Sequence, residues 1–382
     1  RLCTFGMFLA TTFISFLISK LVCNRQTAII SVIVLWSIPL FYIHGIEVRP
    51  DTPQVLFCLL SILFFFRYLK KQTLANLIIS ALSLGIGFLF FQKAITLIAL
   101  IGLLFIYNVT TKKIPIRSIF IYGCTALTPI ILYLAYLLHS NNWNDYFFYN
   151  WTYNLQAIRN ISLLFSTLIY TYQTSIVVWL FFFLGGSFLL KNNLQKQIFF
   201  LGSSFLLFLF LYPLPFHQYV YPALPLVSII AAHGLYTLFQ RKKIILVASL
   251  LFIALPPILG HMVRRIRMSP NTEQHNKINY VLSIADLHES CIDSNHQTFN
   301  LFWKTPYFCW FDTPHAISMH RRLKDPHYKI DIFGILEKHS PKVIGEKSIE
   351  WLADTKVENI TDKRFTKHYK RDNNYPDLFI RK

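Results

Sequence analysis

Charge is scarce in this chain. Asp, Glu, Lys and Arg make up 14% of it, against about 25% in an ordinary soluble domain. Acid is scarcer still: residues 1–261 hold 17 Lys or Arg and 3 Asp or Glu, while residues 262–382 hold 20 and 15. So little carboxylate over 261 residues excludes the surface of a soluble globule for that part. A net charge of +19 could suggest a nucleic-acid partner. The cations instead punctuate apolar runs, so no nucleic-acid partner is expected. Six cysteines occur without a CxxC or a Cys/His metal spacing. Cys3, Cys23, Cys58 and Cys124 lie in or beside apolar runs, as small hydrophobes do; Cys291 and Cys309 could pair in an oxidising compartment or remain free thiols. The chain opens Arg1-Leu2-Cys3 without Met, and its first apolar run starts at once and is long enough to span a membrane. No signal peptide is visible in it, and residues upstream of Arg1 are expected.

Hydrophobic residues fill the space that charge leaves. They make up 54% of the chain, with 36 Phe and 20 Tyr, a composition suited to lipid contact with aromatic interfaces. Ten segments approach the roughly 20 apolar residues that cross a bilayer. They are 2–20, 27–45, 52–69, 74–91, 94–110, 117–138, 171–190, 197–212, 218–239 and 244–261. The predicted fold class is an α-helical polytopic membrane protein, with about ten transmembrane helices here and a small C-terminal α/β soluble domain. The domains are then 1–261 and 262–382.

The loops give an orientation. One alternating set carries Lys20, Arg25, Arg67, Lys70, Lys71, Lys112, Lys113, Arg117, Lys191, Lys196, Arg241, Lys242 and Lys243, thirteen cations without an acid. The other carries Arg1, Arg49, Lys93 and Arg159 with the three acids Glu47, Asp51 and Asp145. The positive-inside rule makes the first set cytosolic, so the first helix enters from outside and the C-terminal domain is extracytoplasmic. Arg264, Arg265 and Arg267 lie on the wrong side of this scheme, which a translocated domain tolerates. If the true N-terminus is cytosolic, one helix and one outer loop are expected upstream.

Two outer regions stand out. The loop from His139 to Asn160 contains Trp143, Tyr146, Phe147, Phe148, Tyr149, Trp151 and Tyr153. These could form an interfacial aromatic belt or line a site for a lipid or sugar. Beyond about residue 268, 271–287 and 330–338 are predicted helices, and 291–293, 342–345 and 378–380 predicted strands. Such alternation favours a small α/β domain. It carries no Gly-rich phosphate loop, Ser/His/Asp set or metal motif.

Several motifs carry a resemblance. Asn24-Arg25-Gln26-Thr27-Ala28 follows the first apolar run, Ser37-Ile38-Pro39-Leu40-Phe41 lies within the second, and Val48-Arg49-Pro50-Asp51 opens the third. Gly87-Phe88-Leu89-Phe90-Phe91-Gln92-Lys93-Ala94 and His217-Gln218-Tyr219-Val220-Tyr221-Pro222-Ala223-Leu224-Pro225 follow in order. Together they resemble the GT-C superfamily of polyprenyl-phosphate-sugar transferases, in the branch of dolichyl-phosphate-mannose protein mannosyltransferases and lipid A aminoarabinose transferases. In that branch the Gly-containing run ends in Thr-Lys-Gly, where this chain has Gln92-Lys93-Ala94. The family's catalytic carboxylate lies in a first outer loop, expected upstream of residue 1.

The resemblance implies an extracytoplasmic glycosyltransferase. An acceptor hydroxyl attacks the anomeric carbon with inversion, and polyprenyl phosphate departs. Arg49, Lys93, His217, Tyr219 and Tyr221 are the candidate substrate-binding residues, and Asp51 a candidate supporting acid. Each has a plainer reading. Asp51-Thr52-Pro53 makes a good helix start, Glu47, Arg49 and Asp51 could be an interfacial ion cluster, Lys93 could snorkel, and Tyr219 and Tyr221 could be belt residues. Lys93 is the sharpest candidate, since an ionisable group at membrane depth marks function by default and a departing phosphate needs a cation. His44 and His233 read as structural. No cofactor is expected, because a lipid monophosphate does not oblige a metal, although a divalent ion is compatible. The partners would be the lipid-linked donor, a lipid, glycan or protein acceptor, and the bilayer of a bacterial inner or cell membrane. A transporter or flippase of lipid-linked saccharides is the alternative. Such proteins often show internal repeats and broken, polar helices, and no convincing repeat is visible.

Overall fold

The computed structural model describes residues 2–47, 49–152, 161–188, 190, 192–212, 216–267, 272–292, 332–353 and 356–382. Readings on Tyr153, Arg159, Asn160, Lys191 and Cys309 fall outside them. The chain divides into two compact units, Arg1–Val263 and Arg264–Lys382.

The first unit is helical. It runs α1 (Leu2–Val22), α2 (Arg25–Trp36), α3 (Pro39–Ile46), α4 (Asp51–Lys71), α5 (Leu74–Phe90), α6 (Ile95–Thr110) and α7 (Arg117–His139). It continues α8 (Trp143–Phe147), α9 (Ile161–Phe188), α10 (Asn193–Phe208), α11 (Leu224–Phe239) and α12 (Lys243–Arg267). Among the described residues seven helices are long and apolar enough to cross a membrane, or eight if the bent pair α2–α3 is one span. The 17-residue α5 is apolar but shorter.

Local chemistry sets the ends. The Asn24 side chain accepts from Thr27 N at 2.8 Å and caps α2, and Asn192 and Gln195 form a reciprocal capping box on α10. Gln72 adopts a left-handed φ of 50° and closes α4, its N–H donating to Tyr68 O at 2.7 Å. The run 27–45 reads as one straight span, yet α2 and α3 meet at 74°. Pro39 has no N–H to continue the ladder, and the Ser37 hydroxyl donates to Val34 O at 2.7 Å. The predicted span 171–190 starts ten residues earlier, at Ile161, and contains the non-helical Ser175 (φ −150°, ψ 31°).

Burial sorts the helices. α4 and α11 are the most enclosed, with Phe65, Phe66, Leu226 and Val227 at 0% exposure. α7 is peripheral, leaving Phe120, Ile131, Leu132 and Tyr136 more than half exposed. A soluble monomer rarely shows so much contiguous apolar surface; a lipid-facing helix does. Small polar groups join the interior. The Ser61 hydroxyl bonds Tyr122 at 3.0 Å and Ser80 at 3.3 Å, and Tyr68 bonds Ser118 at 2.6 Å. Such contacts contribute about 0.6 kcal/mol each in membrane bundles. α9 and α11 cross at Gly185 and Gly234, where a Cβ on Gly234 would lie 2.8 Å from Phe181 O.

Hydrogen bonds gather the loops at two ends. Lys70 Nζ donates to Leu21 O at 2.6 Å, Gln72 Nε2 to Lys113 O at 2.8 Å and Asn192 Nδ2 to Val22 O at 3.2 Å. The turns rich in cations therefore share one end. The start of α4 and the segments around Lys93 and His217 share the other.

The second unit is built on a four-stranded mixed sheet in the order β1–β2–β4–β3, from Cys291–Ile292 (β1), Val343–Gly345 (β2), Tyr369–Arg371 (β3) and Leu378–Arg381 (β4). β1 and β2 are parallel; β4 runs antiparallel to β2 and β3. Its helices are α13 (Thr272–Ile284), α14 (Ile332–His339), α15 (Glu346–Ala353) and α16 (Lys363–Thr366). Ile292, Leu336, Ile344 and Ile349 form one core cluster; Val281, Cys291, Val343 and Leu378 form another. Cys291 is a fully buried free thiol, and burial pushes it up to about 12.

Candidate functional site

Every candidate residue from the sequence lies at the end of the bundle opposite the cation-rich turns. Asp51 opens α4 and is buried, its side chain only 3% exposed. Arg49 Nε donates to Asp51 Oδ2 at 3.0 Å, and Arg49 Nη1 lies 3.8 Å from Glu47 Oε2. Glu47 Oε2 is in turn 2.9 Å from His44 Nδ1. The Thr52 hydroxyl, 3.3 Å from the carbonyls of His44 and Gly45, ties the start of α4 back to α3. The short segment between two apolar helices thus becomes an ordered ion chain running from His44 to Asp51.

Lys93 sits in the 3₁₀ turn Gln92–Ala94 between α5 and α6, as the spacing of the two apolar runs predicts. Its ammonium lies 2.9 Å from the centroid of the Tyr219 ring, 4.0 Å from that of Phe91 and 6.0 Å from that of Tyr212. Among the described residues no carboxylate is within ion-pair distance of it, although the charges of Asp51 and Arg49 act on it. An aromatic slot of this kind holds a cation by about 0.5–2 kcal/mol and supplies no opposite formal charge of its own.

Tyr219 and Tyr221 belong to the 3₁₀ segment His217–Ala223 that leads into α11. Tyr221 is fully buried and stacks on Phe41, with centroids 5.6 Å apart. Its role in the packing is clear from that contact. Tyr219 also meets Tyr212 edge-on at 5.0 Å. The His217 ring packs 4.7 Å from that of Tyr170 in α9, and its Nδ1 has no hydrogen-bond partner among the described residues. His217 opens the same 3₁₀ segment that carries Tyr219 and Tyr221. All six candidates therefore fall in one cluster.

Sequence reading missed several members. His44 reads as structural in the sequence, yet its bond to Glu47 makes it part of the ion chain. Tyr212 donates to or accepts from Thr96 at 3.0 Å, and Gln92 Nε2 donates to Asn150 Oδ1 at 2.8 Å. That last bond brings the aromatic loop to the Lys93 turn. Trp151 of the same loop lies 6.3 Å from Phe88. A signal was present in the isolated polar residues Thr96 and Asn150, placed at the edges of apolar segments. Among the described residues no three His, Cys, Asp or Glu side chains gather as a metal-ligand set would.

Comparison with known proteins gives the cluster a context. Residues 1–139 match the family described as dolichyl-phosphate-mannose-protein mannosyltransferase. No curated protein matches the chain significantly in sequence. Two structures of ArnT from Cupriavidus metallidurans share its fold. The apo structure aligns with a TM-score of 0.52 at 13% identity, covering 65% of this chain and 47% of that one. The structure bound to undecaprenyl phosphate aligns with a TM-score of 0.63 at 12% identity, covering 94% and 81%. The chain thus spans about half the length of the apo relative. The chain therefore shares a family model over residues 1–139 and, over most of its length, a fold with these structures.

Proposed function

We propose that this chain transfers a sugar from a polyprenyl-phosphate donor to an acceptor hydroxyl, at the outer face of a membrane and with inversion. The observation that carries this reading is the Lys93 ammonium, held by aromatic faces beside a buried carboxylate and left without an ion pair among the described residues. A site of that kind suits a phosphate whose negative charge grows as the glycosidic C–O bond breaks. The lipid phosphate in the ArnT structure belongs to a protein of the same fold.

In the proposed reaction the acceptor oxygen forms a bond to the anomeric carbon as the donor's C–O bond to phosphate breaks. The bonding electrons leave with polyprenyl phosphate, and the acceptor proton passes to a base. Lys93 and Arg49 stabilise the departing phosphate. Asp51 holds Arg49 in place and acts as a supporting acid. His217 adds a polar edge, and Tyr219 fixes the ammonium. The thirteen-to-four distribution of cations between the two ends supports placing this site outside the cytosol. The sugar need not coordinate a metal for this chemistry, since side-chain cations supply the countercharge.

The test is transfer from a polyprenyl-phosphate sugar in detergent or liposomes, normalised to folded protein. Lys93→Met keeps the apolar stem and removes the charge. It should insert normally and turn over about a hundredfold to a thousandfold more slowly. Near-normal turnover would make Lys93 an interface anchor and remove the basis of the assignment.

A further inference from the structure

At the end of the bundle away from Lys93, a cavity of about 340 Å³ opens between α1, α4 and α5, lined by Leu21, Arg67, Lys70, Lys71 and Asn76. Its size falls in the range of small-ligand sites, about 300–1,000 Å³. Three of its five lining residues are cations. None has a carboxylate partner among the described residues: Arg67 stacks over the Phe64 ring at 5.1 Å, and Lys70 donates to the Leu21 carbonyl at 2.6 Å. Neither contact cancels charge.

Chain geometry explains why no acid can reach them within this unit. Residues 1–263 contain only Glu47, Asp51 and Asp145. Asp51 and Lys71 bound the same 21-residue helix, which at about 1.5 Å per residue separates them by about 30 Å. Asp145 follows α7, whose 23 residues start near Lys113 at the cation end, so it too lies a membrane thickness away. The C-terminus of α4 offers these cations only about 0.3–1 kcal/mol each through its dipole. A retention signal for topology needs charge in the turn, but it needs no cavity. Here Arg67, one turn inside the helix, joins the exposed Lys70 and Lys71 and the Asn76 amide around an open cleft.

We propose that this cavity binds the phosphate of an anionic phospholipid headgroup in the leaflet opposite the proposed transfer site. Arg67 and Lys71 would contact the phosphate oxygens, Lys70 would bridge them to the end of α1, and Asn76 would donate to the glycerol or headgroup. The source is assigned to lipid because Leu21 forms an apolar wall and the nearby Leu74 is 55% exposed at the rim of the apolar helices. Juxtamembrane cations gain about 1 kcal/mol each from anionic lipid. The inference does not depend on the transferase reading, as it concerns the other end of the bundle.

The experiment uses the full chain purified in a neutral detergent. Retained lipid is counted by native mass spectrometry after mixing with phosphatidylglycerol or phosphatidylcholine, and melting is followed in parallel with and without inorganic phosphate. Wild type should retain phosphatidylglycerol preferentially. The combined variant Arg67→Gln, Lys70→Gln and Lys71→Gln should lose that preference by about tenfold or more. The combined variant Arg241→Gln, Lys242→Gln and Lys243→Gln removes equal charge outside the cavity and should keep it. If the triple cavity variant fails to fold, Lys71→Glu alone, at an exposed position, should weaken retention. A melting shift with inorganic phosphate as large as with lipid would assign the same cavity to a free anion. Equal loss in both triple variants, or no preference for phosphatidylglycerol in wild type, would overturn the proposal.

Discussion

The Lys93 ammonium rests 2.9 Å from the centroid of the Tyr219 ring, joining the turn after α5 to the segment before α11 across 126 positions of sequence. The contact predicts a separation of ring and hydroxyl effects. Tyr219→Phe keeps the π face and should transfer sugar within about threefold of wild type. Tyr219→Leu removes a cation–π contact of about 1–2 kcal/mol and should slow transfer about tenfold, with Lys93→Arg between wild type and Lys93→Met. Equal rates for Phe and Leu at position 219 would show that the ring does not position the cation.

The ion chain predicts an order of thermal stability. Arg49 pairs with the buried Asp51 at 3.0 Å but with the 41%-exposed Glu47 only at 3.8 Å. Exposed pairs contribute about 0–1 kcal/mol, whereas stripping the partner from a buried carboxylate costs more. Arg49→Gln should therefore lower the melting temperature more than Glu47→Gln. Melting in detergent, with both variants side by side, checks this. A larger loss for Glu47→Gln would mean that His44, not Arg49, organises the chain.

Topology is tested by cysteine accessibility. Lys71 and Lys242 lie in turns at the cation-rich end, and Asn142 follows α7 at the other. From the outer face, a membrane-impermeant thiol reagent should modify cysteines placed at Asn142 and Lys363, and should spare those at Lys71 and Lys242. Modification at Lys71 from outside would invert the orientation.

Much of this was legible in sequence, for physical reasons that also mark its limits. Hydropathy found α1, α4, α6 and α7 because lipid demands unbroken apolar length. It could not find the 74° bend at Pro39, since proline is apolar enough to hide within a run and its missing N–H does not register on a hydropathy scale. The predicted span began at Thr171, whereas α9 begins at Ile161, runs through the polar stretch Thr171-Tyr172-Gln173-Thr174-Ser175 and departs from helical geometry at Ser175. The candidate cluster was legible where charge is rare, at Arg49, Asp51 and Lys93. His44, Tyr212 and Asn150 were not, because their partners are distant in sequence and only packing brings them close. In the second unit the strands Val343–Gly345 and Leu378–Arg381 were readable from short apolar runs, but Tyr369–Arg371, with only Tyr369 buried and two exposed cations after it, was not.

The final prediction concerns the second unit and its buried thiol. Residues 264–382 form a compact unit with their own core clusters and should express as a soluble, cooperatively melting fragment. Cys291 is fully buried in β1, and burial pushes its thiol up to about 12, from about 8.5 in an unfolded chain. The folded state thus holds this proton where the unfolded state loses it. The contribution is complete below about pH 8.5 and disappears as pH rises towards 12. Two measurements follow on the fragment. At pH 8, alkylation of Cys291 should track global unfolding rather than solvent exposure in the folded state, with the modified residue identified by peptide mass. In urea titrations, stability should fall from pH 8 to pH 10.5, and Cys291→Ala, although less stable at neutral pH, should show a shallower decline. Rapid alkylation at Cys291 under native conditions would place the thiol outside the core, and a fragment with only coil by circular dichroism would show that the unit cannot fold alone.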